Sequence, residues 1–264
     1  MDIASLVGLL IAIVSLLGAF FLEGGTIGMI LVLAAAIIVF GGTIGVTIIS
    51  FTLDEIKGVP YFVKMVFNGK PIDYDYYLDM LLINADKARR EGLLSLESQL
   101  ELIENEFMAR GLQMVIDGNN RETTSEILEM EIEVFEKKEK VGYDIFMTAG
   151  GFAPTMGIIG TVMGMVQVLS NLSSPDELGA SIAVAFLATL YGIASANILW
   201  IPFASKIKNR IEKETLLMEM ILDGILAIQS GDNPRSIREK LSIYLPPENR
   251  QDIDMREREE TGIL

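Results

Sequence analysis

The chain has 264 residues, half of them hydrophobic, and its mean hydropathy is positive although it carries 21 basic and 36 acidic side chains. It contains no cysteine and no histidine, which argues against disulfides, thiol nucleophiles, histidine acid–base catalysis and the usual transition-metal ligands. The net charge of −15 makes nucleic acid and an anionic membrane surface unexpected partners. We therefore predict no enzymatic activity, no cofactor and no metal site.

The basic residues are segregated along the chain. Residues 1–51 and 148–205 contain no Lys or Arg, whereas eleven basic residues lie in 52–147 and ten in 206–264. A soluble domain would spread these charges over its surface. The pattern indicates a membrane protein.

Four uncharged runs are long enough to cross a bilayer. They extend over Ile3–Leu22, from Thr26 to about Leu53, from about Phe146 to Leu172, and from about Leu178 to Ala204. The first is not expected to be a cleaved signal peptide, because no basic residue precedes it and its apolar part is too long. Since no span contains an ionisable residue, a titrating group for ion conduction must come from another chain.

The positions of the Lys and Arg residues also predict how the spans are oriented in the membrane. The turns that join spans one to two (Leu22–Thr26) and three to four (Asn171–Leu178) contain no Lys or Arg. The middle segment and the tail hold all of them, so we predict that both segments and both termini are cytoplasmic.

The cytoplasmic segments carry helical periodicity. We predict one helix over 54–67, ended by a turn at 68–71, and a second over 73–90. The sequence also predicts a buried stripe (Leu96, Leu100, Ile103, Phe107), a turn at 117–120, and a capping box of Thr123 and Glu126.

Beyond the fourth span, Lys206–Gln229 is predicted to continue as an amphipathic helix. Asn233 is expected to cap a short helix to about Tyr244, with Pro234 at its first position. The polar tail from Glu248 is predicted to be disordered.

These elements define the predicted fold class, an all-α integral membrane protein with four transmembrane helices, a helical cytoplasmic domain between spans two and three, and a cytoplasmic C-terminal helix. The predicted domains are a first transmembrane hairpin (1–51), a cytoplasmic helical domain (52–146), a second transmembrane hairpin (147–204), and a cytoplasmic helix with a polar tail (205–264).

Spans three and four each carry a stripe of small residues at helical spacing. Such stripes let helices approach closely in a membrane, which is one interpretation. The other is that they line a narrow path or hold a helix of another protein, which the hydroxyls of Thr161 and Thr189 favour. The stripe residues are Gly157, Gly160, Thr161 and Gly164 in span three, and Ser181, Ala185, Ala188, Thr189, Gly192 and Ala196 in span four.

Two prolines lie at the cytoplasmic ends of these spans, Pro154 in span three and Pro202 in span four. Proline often marks a helix end, and a pair at equal depth is also typical of hinges.

Three motifs carry a resemblance to a known family: KARREGLLSLE at 87–97, APTMGIIGTVMGMV at 153–166, and LATLYGIASANILWIP at 187–202. Together they resemble the A subunit of the bacterial flagellar stator, the MotA/PomA family, and more distantly the ExbB/TolQ proteins. The resemblance implies an inner-membrane ion channel in which five A subunits surround two B subunits. A B-subunit helix would supply the ion-binding aspartate, and ion passage would turn the A ring against the rotor protein FliG.

The resemblance also assigns roles to residues. It implies rotor contact for Arg89 and Glu97, with Arg90 as a second basic candidate, and conformational coupling for Pro154 and Pro202. Thr189 corresponds to a threonine near the ion, and Thr161 to a position that is often threonine in sodium stators and alanine in some proton stators. Whether the ion is a proton or sodium stays open.

Three other classes of protein are alternatives to the stator. An ExbB/TolQ-type proton-channel energiser resembles the last two spans, but the N-terminal hairpin 3–51 and the 87–97 motif favour the stator. An intramembrane enzyme is disfavoured by the absence of His, Cys and intramembrane carboxylates. A stand-alone transporter would need coordinating groups of its own at the midplane.

Overall fold

The computed structural model describes residues 3–68, 71–170 and 175–245, and all regular structure within these ranges is helical. The α-helices are α1 (Ile3–Leu22), α2 (Ile27–Ile30), α3 (Leu33–Ala36), α4 (Gly42–Ser50), α5 (Leu53–Lys57), α6 (Val59–Phe67), α7 (Tyr74–Glu91), α8 (Glu97–Leu100), α9 (Glu106–Ile116), α10 (Arg121–Ser170), α11 (Pro175–Ser195), α12 (Ile201–Gln229) and α13 (Pro234–Leu241). Two π-helical segments (Ile37–Gly41, Ala196–Trp200) and two 3₁₀ turns (Leu93–Leu96, Ser242–Tyr244) complete the described elements.

Among the residues that the structure describes, four helical stretches are long and apolar enough to cross a membrane. They are Ile3–Leu22, Leu33–Ser50, the apolar part of Arg121–Ser170 and the apolar part of Ser181–Gln229. The predicted turn at 68–71 and the turn between spans three and four fall partly outside the described residues, and the tail from Glu248 falls wholly outside them.

The chain divides into two compact units. The membrane unit comprises Met1–Lys70 and Glu139–Arg210, and the second unit comprises Pro71–Lys138 and Ile211–Leu264. The long helices α10 and α12 contribute residues to both units.

The second unit is built on one hydrophobic core, formed chiefly by α7, α9, α12 and α13. Leu81, Leu112 and Ile225 are completely buried in it. Gly224 is required beside Leu81, because a Cβ on this glycine would lie 2.6 Å from a Leu81 methyl carbon. The predicted helix over 73–90 is confirmed as α7, and Asn233 caps α13 as predicted.

Two local predictions are wrong. The helix predicted over 54–67 is two helices, α5 and α6, separated at Gly58, with Pro60 in the first turn of α6. The capping box predicted at Thr123 and Glu126 does not start α10. Asn120 caps that helix instead, its side-chain oxygen accepting the Thr123 N–H at 2.7 Å. A capping box is formed at the start of α5, where Thr52 pairs with Glu55.

The stripe predicted over 96–107 is buried at its ends but does not belong to one helix. Leu96 ends a 3₁₀ turn and is fully buried, whereas Phe107 lies in α9. Leu100 and Ile103 pack against the same core while partly exposed.

The second span is not one helix from Thr26. The backbone is extended at Val32, so α2 and α3 are separate, and a π-helical segment follows α3. The Tyr191 hydroxyl of α11 bridges this break, donating to the Ile30 carbonyl and accepting the Val32 N–H at 3.1 Å. A helix break in a membrane needs such a partner, because lipid offers the backbone none.

Asp223 holds the end of the described chain against α12. Its carboxylate accepts hydrogen bonds from Lys240 at 2.8 Å and from the Tyr244 hydroxyl at 3.0 Å. Burial, the hydrogen bond to Asp223 and the charges of Asp223 and Glu219 raise the pKa of Tyr244 to about 12.

This contact predicts an alkaline transition. Because the pKa of Tyr244 is higher in the folded chain than the value of roughly 10 in an unfolded one, its stabilisation is complete below pH ~10 and is lost as the pH rises through about 12. The phenolate absorbance difference between the wild type and Tyr244→Phe should therefore titrate near pH 12.

Tyr244→Phe should also loosen α13 by about 1 kcal/mol, the usual net worth of one hydrogen bond, as measured by hydrogen exchange of 234–245 at neutral pH. Tyr76→Phe, at an exposed position, is the matched control and should leave this segment unchanged. A difference curve with its midpoint at pH ~10 would contradict the prediction.

Candidate functional site

The two small-residue stripes contact each other in the membrane unit. A Cβ on Gly157 of α10 would lie 2.9 Å from the Ala188 carbonyl oxygen and 3.1 Å from the Thr189 Cα. A Cβ on Gly192 of α11 would lie 2.5 Å from the Ala153 carbonyl oxygen. The two helices therefore approach backbone to backbone, at a separation that only glycine permits.

The same contact extends along both helices. A Cβ on Gly160 would lie 2.5 Å from the Ala188 methyl, and one on Gly164 would lie 2.7 Å from the Ala185 methyl. Ala185 and Ala188 are themselves buried. The alanine methyls of α11 thus occupy the spaces left by the glycines of α10.

An oxygen cluster lies within this contact. The Thr161 hydroxyl is 2.9 Å from the Ala185 carbonyl oxygen and 3.1 Å from the Gly157 carbonyl oxygen, and it also hydrogen-bonds the Thr189 hydroxyl. A hydroxyl has one proton, so Thr161 satisfies only one of the two carbonyls at a time. Both threonines remain partly exposed.

The chemistry of this cluster is that of neutral, hard oxygen atoms. Hydroxyl and carbonyl oxygens replace the hydration shell of a small cation, or pass a hydrogen bond along, but they do not titrate near neutral pH. Among the described residues no group of three or more acidic side chains could hold a metal ion. The cluster could guide an ion but could not by itself bind and release a proton.

The two prolines lie at helix irregularities. Pro154 is inside α10, where it leaves the Gly150 carbonyl without its usual helical donor, and its Cα would lie 3.2 Å from a Cβ on Gly192. Pro202 follows the π-helical segment Ala196–Trp200 by one residue. Proline and π-helical geometry are both known causes of helix bending.

The charged residues of the 87–97 motif lie in the second unit, at the connection between α7 and α8. Gly92 ends α7 with φ +86°, a conformation that favours glycine. Arg89, Arg90 and Glu97 are exposed on either side of it, and Arg90 pairs with Asp86 at 3.0 Å.

The connection is anchored at both ends while its centre is exposed. Lys87 donates to the Ser98 hydroxyl at 2.7 Å, and Leu96 is fully buried in the core. Leu94, between the charged residues, is 72 % exposed. An exposed leucine between opposite charges is typical of a protein contact surface.

Sequence reasoning missed two residues of this arrangement. Tyr191 looked like one more apolar residue of span four, and only its phenol oxygen, a group that seeks a partner when buried in lipid, could have indicated the helix break. The exposure of Leu94 was not predicted, because nothing in the local sequence distinguishes it from the buried Leu96.

Comparison with known proteins identifies relatives over the whole chain. Residues 99–220 match the MotA/TolQ/ExbB proton channel family, and residues 6–92 match the Motility protein A N-terminal family. Motility protein A of Bacillus subtilis is 38 % identical over 251 residues, which cover 95 % of this chain and 93 % of that protein. Chemotaxis protein PomA of Vibrio alginolyticus is 37 % identical over an alignment that covers 93 % of this chain and 96 % of PomA.

Solved structures agree with these relatives. A chain of the flagellar MotAB stator complex from Bacillus subtilis is 37 % identical with a TM-score of 0.87, over 94 % of this chain and 98 % of that one. A chain of the C. jejuni MotAB structure is 31 % identical with a TM-score of 0.89, over 94 % and 97 % of the two chains.

The glycine contact predicts a position-specific effect. Gly157→Ala would place a methyl against the backbone of α11, so the helices must separate, and we expect a loss of about 1–3 kcal/mol in stability. Thermal unfolding of the purified protein measures this loss.

Gly151→Ala is the matched control. Gly151 lies on the same helix as Gly157, but a Cβ on Gly151 would meet nothing within 4 Å. Equal stability of the two variants would show that the α10–α11 contact is looser than described.

Proposed function

The chain belongs to the MotA/TolQ/ExbB proton channel family, as a flagellar stator A subunit of the Motility protein A and PomA type, and we propose that its oxygen cluster lines an ion path completed by a B subunit. Ion flux through that path turns a ring of A subunits and applies torque to the rotor protein FliG. The ion is a proton or sodium.

The observation that carries this proposal is a cluster of hydroxyl and carbonyl oxygen atoms between α10 and α11, in spans that contain no charged residue. The four spans predicted from the sequence contain no ionisable residue, yet α10 and α11 bring two hydroxyls and two carbonyl oxygens together. A cation crossing lipid needs oxygen ligands and a compensating charge. Thr161 and Thr189 supply the first, and a carboxylate on a B-subunit helix supplies the second.

The proposed assembly and its stoichiometry rest on the resemblance to the stator family. The protein is a multi-pass inner-membrane protein, and the solved relatives are MotAB complexes, which supports a MotB-like partner and an oligomer. We place both termini, residues 52–146 and residues 205–264 in the cytoplasm, with 1–51 and 147–204 as the two transmembrane hairpins. Five A subunits surround two B subunits in this arrangement.

Pro154 and Pro202 act as the coupling hinges in this proposal. Pro154 removes one backbone hydrogen bond inside α10, and Pro202 lies shortly after a π-helical segment, so a small change in bend costs less at either place than in an unbroken helix. Binding and release of the ion would alter the bend of α10 and α12.

The rotor contact is assigned to the α7–α8 connection. Arg89, Arg90 and Glu97 give it charges of both signs, and exposed Leu94 adds an apolar anchor. Charges of this kind set the orientation of a partner, while a buried apolar side chain supplies more of the affinity.

An ExbB/TolQ-type energiser is the alternative, because the family of residues 99–220 includes those proteins. The separate match of residues 6–92 to the Motility protein A N-terminal family, and the nearly full-length relatives, favour the stator.

The pathway is tested by ion flux in proteoliposomes that contain this chain and a MotB-like subunit. Thr189→Val keeps the shape and deletes one hydroxyl, so we expect assembly to persist while flux falls sharply. A packing role alone predicts almost normal flux, since a membrane hydrogen bond is worth only ~0.6 kcal/mol on average. Thr161→Val should change the dependence of flux on sodium or its rate without abolishing it.

Thr155→Val is the matched control, because this exposed hydroxyl of α10 bonds only its own helix, at the Phe152 carbonyl. Liposomes with this chain alone should conduct no ions. Robust flux without the partner, or wild-type flux in assembled Thr189→Val complexes, would overturn the pathway.

The rotor contact is tested by charge reversal. Single neutralisation of Arg89 or Glu97 should weaken swimming only partly, because exposed pairs contribute ~0–1 kcal/mol each. The double reversal Arg89→Glu with Glu97→Lys should impair swimming more and be rescued by compensating reversals in FliG. Leu94→Ser should impair it without being rescued by charge changes.

Glu133 and Lys137 form an exposed pair on α10 in the same unit, and their double reversal is the control. Normal swimming after reversal of both Arg89 and Glu97 would make them surface charges without a partner.

A further inference from the structure

A cleft of about 310 Å³ separates α1 from the end of the fourth span within the membrane unit. Gly8 and Ala12 form part of its α1 wall, Ile198 and Phe203 lie opposite, and Val66 of α6 also contributes. Lys206 lines the cleft at the end of its α12 wall. The cleft is separate from the oxygen cluster, since none of its lining residues belongs to that cluster.

Apart from Ser5, Asn197 and Lys206, the cleft is lined by apolar residues, so it suits a hydrocarbon occupant. Helix α1 has no buried residue, and a Cβ on Gly8 would meet nothing within 4 Å. An apolar void does not take up water, and an empty one forfeits the dispersion contacts of its lining. The wall from Ala4 to Ala12 rises ~12 Å along α1, which is a large part of one leaflet of the ~30 Å hydrocarbon core.

The basic residue at the polar end of the cleft favours an occupant with an anionic head group. The described lining of the cleft contains one charged residue, Lys206, and no acidic residue. Lys206 already has a partner within the protein, but an ammonium group has three donors and can also meet a phosphate. The net charge of −15 arises from acidic residues elsewhere, so the general expectation against anionic lipid does not hold at this place.

We propose that this cleft binds one acyl chain of an anionic phospholipid, whose phosphate is held by Lys206. Basic sites between transmembrane helices are suited to such head groups. The lipid would fill the gap beside α1, which has few contacts of its own with the rest of the protein. The proposal does not depend on ion conduction or torque.

Trp200, the single tryptophan of the chain, packs against Phe146 of α10 and does not line the cleft. The probe is therefore introduced by Phe203→Trp at a lining residue, in a chain that also carries Trp200→Phe, and this labelled chain serves as the wild type of the test. The complex with its B subunit, whose own tryptophans are replaced by phenylalanine, is placed in phosphatidylcholine vesicles. Phosphatidylglycerol with brominated acyl chains is then added, or brominated phosphatidylcholine in the same amount. Bromine quenches tryptophan fluorescence only on close approach.

We expect phosphatidylglycerol to quench the fluorescence of the Phe203→Trp probe at a roughly fivefold lower mole fraction than phosphatidylcholine, the effect of one basic residue near an anionic lipid. Lys206→Gln should abolish this preference, whereas Lys213→Gln, outside the cleft, should retain it. Gly8→Leu should fill the cleft and reduce quenching by both lipids. Gly18→Leu is its matched control on the same helix, where a Cβ also meets nothing within 4 Å, and should behave as the wild type.

Equal quenching by the two lipids in the wild type would overturn the proposal. So would a Gly8→Leu variant that breaks the oligomer in native mass spectrometry while its lipid preference persists, since a neighbouring copy of the chain would then occupy the cleft.

Discussion

Backbone-to-backbone contact between α10 and α11 is the constraint on which the membrane unit depends. In lipid, apolar side chains gain nothing by leaving their surroundings, so helices associate through close packing and hydrogen bonds. Gly157 and Gly192 permit that approach, and it brings the Thr161 hydroxyl within 2.9 Å of the Ala185 carbonyl on the other helix. The close packing and the oxygen cluster are therefore one feature of the structure, because the tight contact is what assembles the oxygen atoms.

Helix α11 also organises the second span, through a different interaction. Ala188 packs with Ala35 and Val39, and Tyr191 satisfies the backbone where α2 and α3 separate. The helix that carries Thr189 thus contacts α10 on one side and the second span on another. A change in the bend of this helix at the π-helical segment before Pro202 would displace both α10 and the second span. Packed helices shift together rather than deform independently.

Charged residues are distributed unevenly, so three regions of the chain differ in their electrostatic environment. The four predicted spans carry no Asp, Glu, Lys or Arg, which keeps the cost of their burial in lipid low. Lys206, which follows the fourth span, lines a mostly apolar cleft, and the residues of opposite charge on either side of Gly92 are exposed. A single net charge for the whole chain conceals these three environments.

The sequence by itself determined which segments can lie in lipid, because span length and the absence of charge are local properties. It also determined the small-residue stripes, which follow from helical spacing, and helix starts such as Asp73 and Asn233, whose caps act within three residues. Only the tertiary structure decided that the two stripes face each other, since spacing specifies a face but not its partner. It alone placed the break at Val32, because the group that stabilises the break, Tyr191, lies 159 residues away in the chain. The structure also decided that Asn120 rather than Thr123 caps α10, because both residue types are good caps and local sequence does not choose between them.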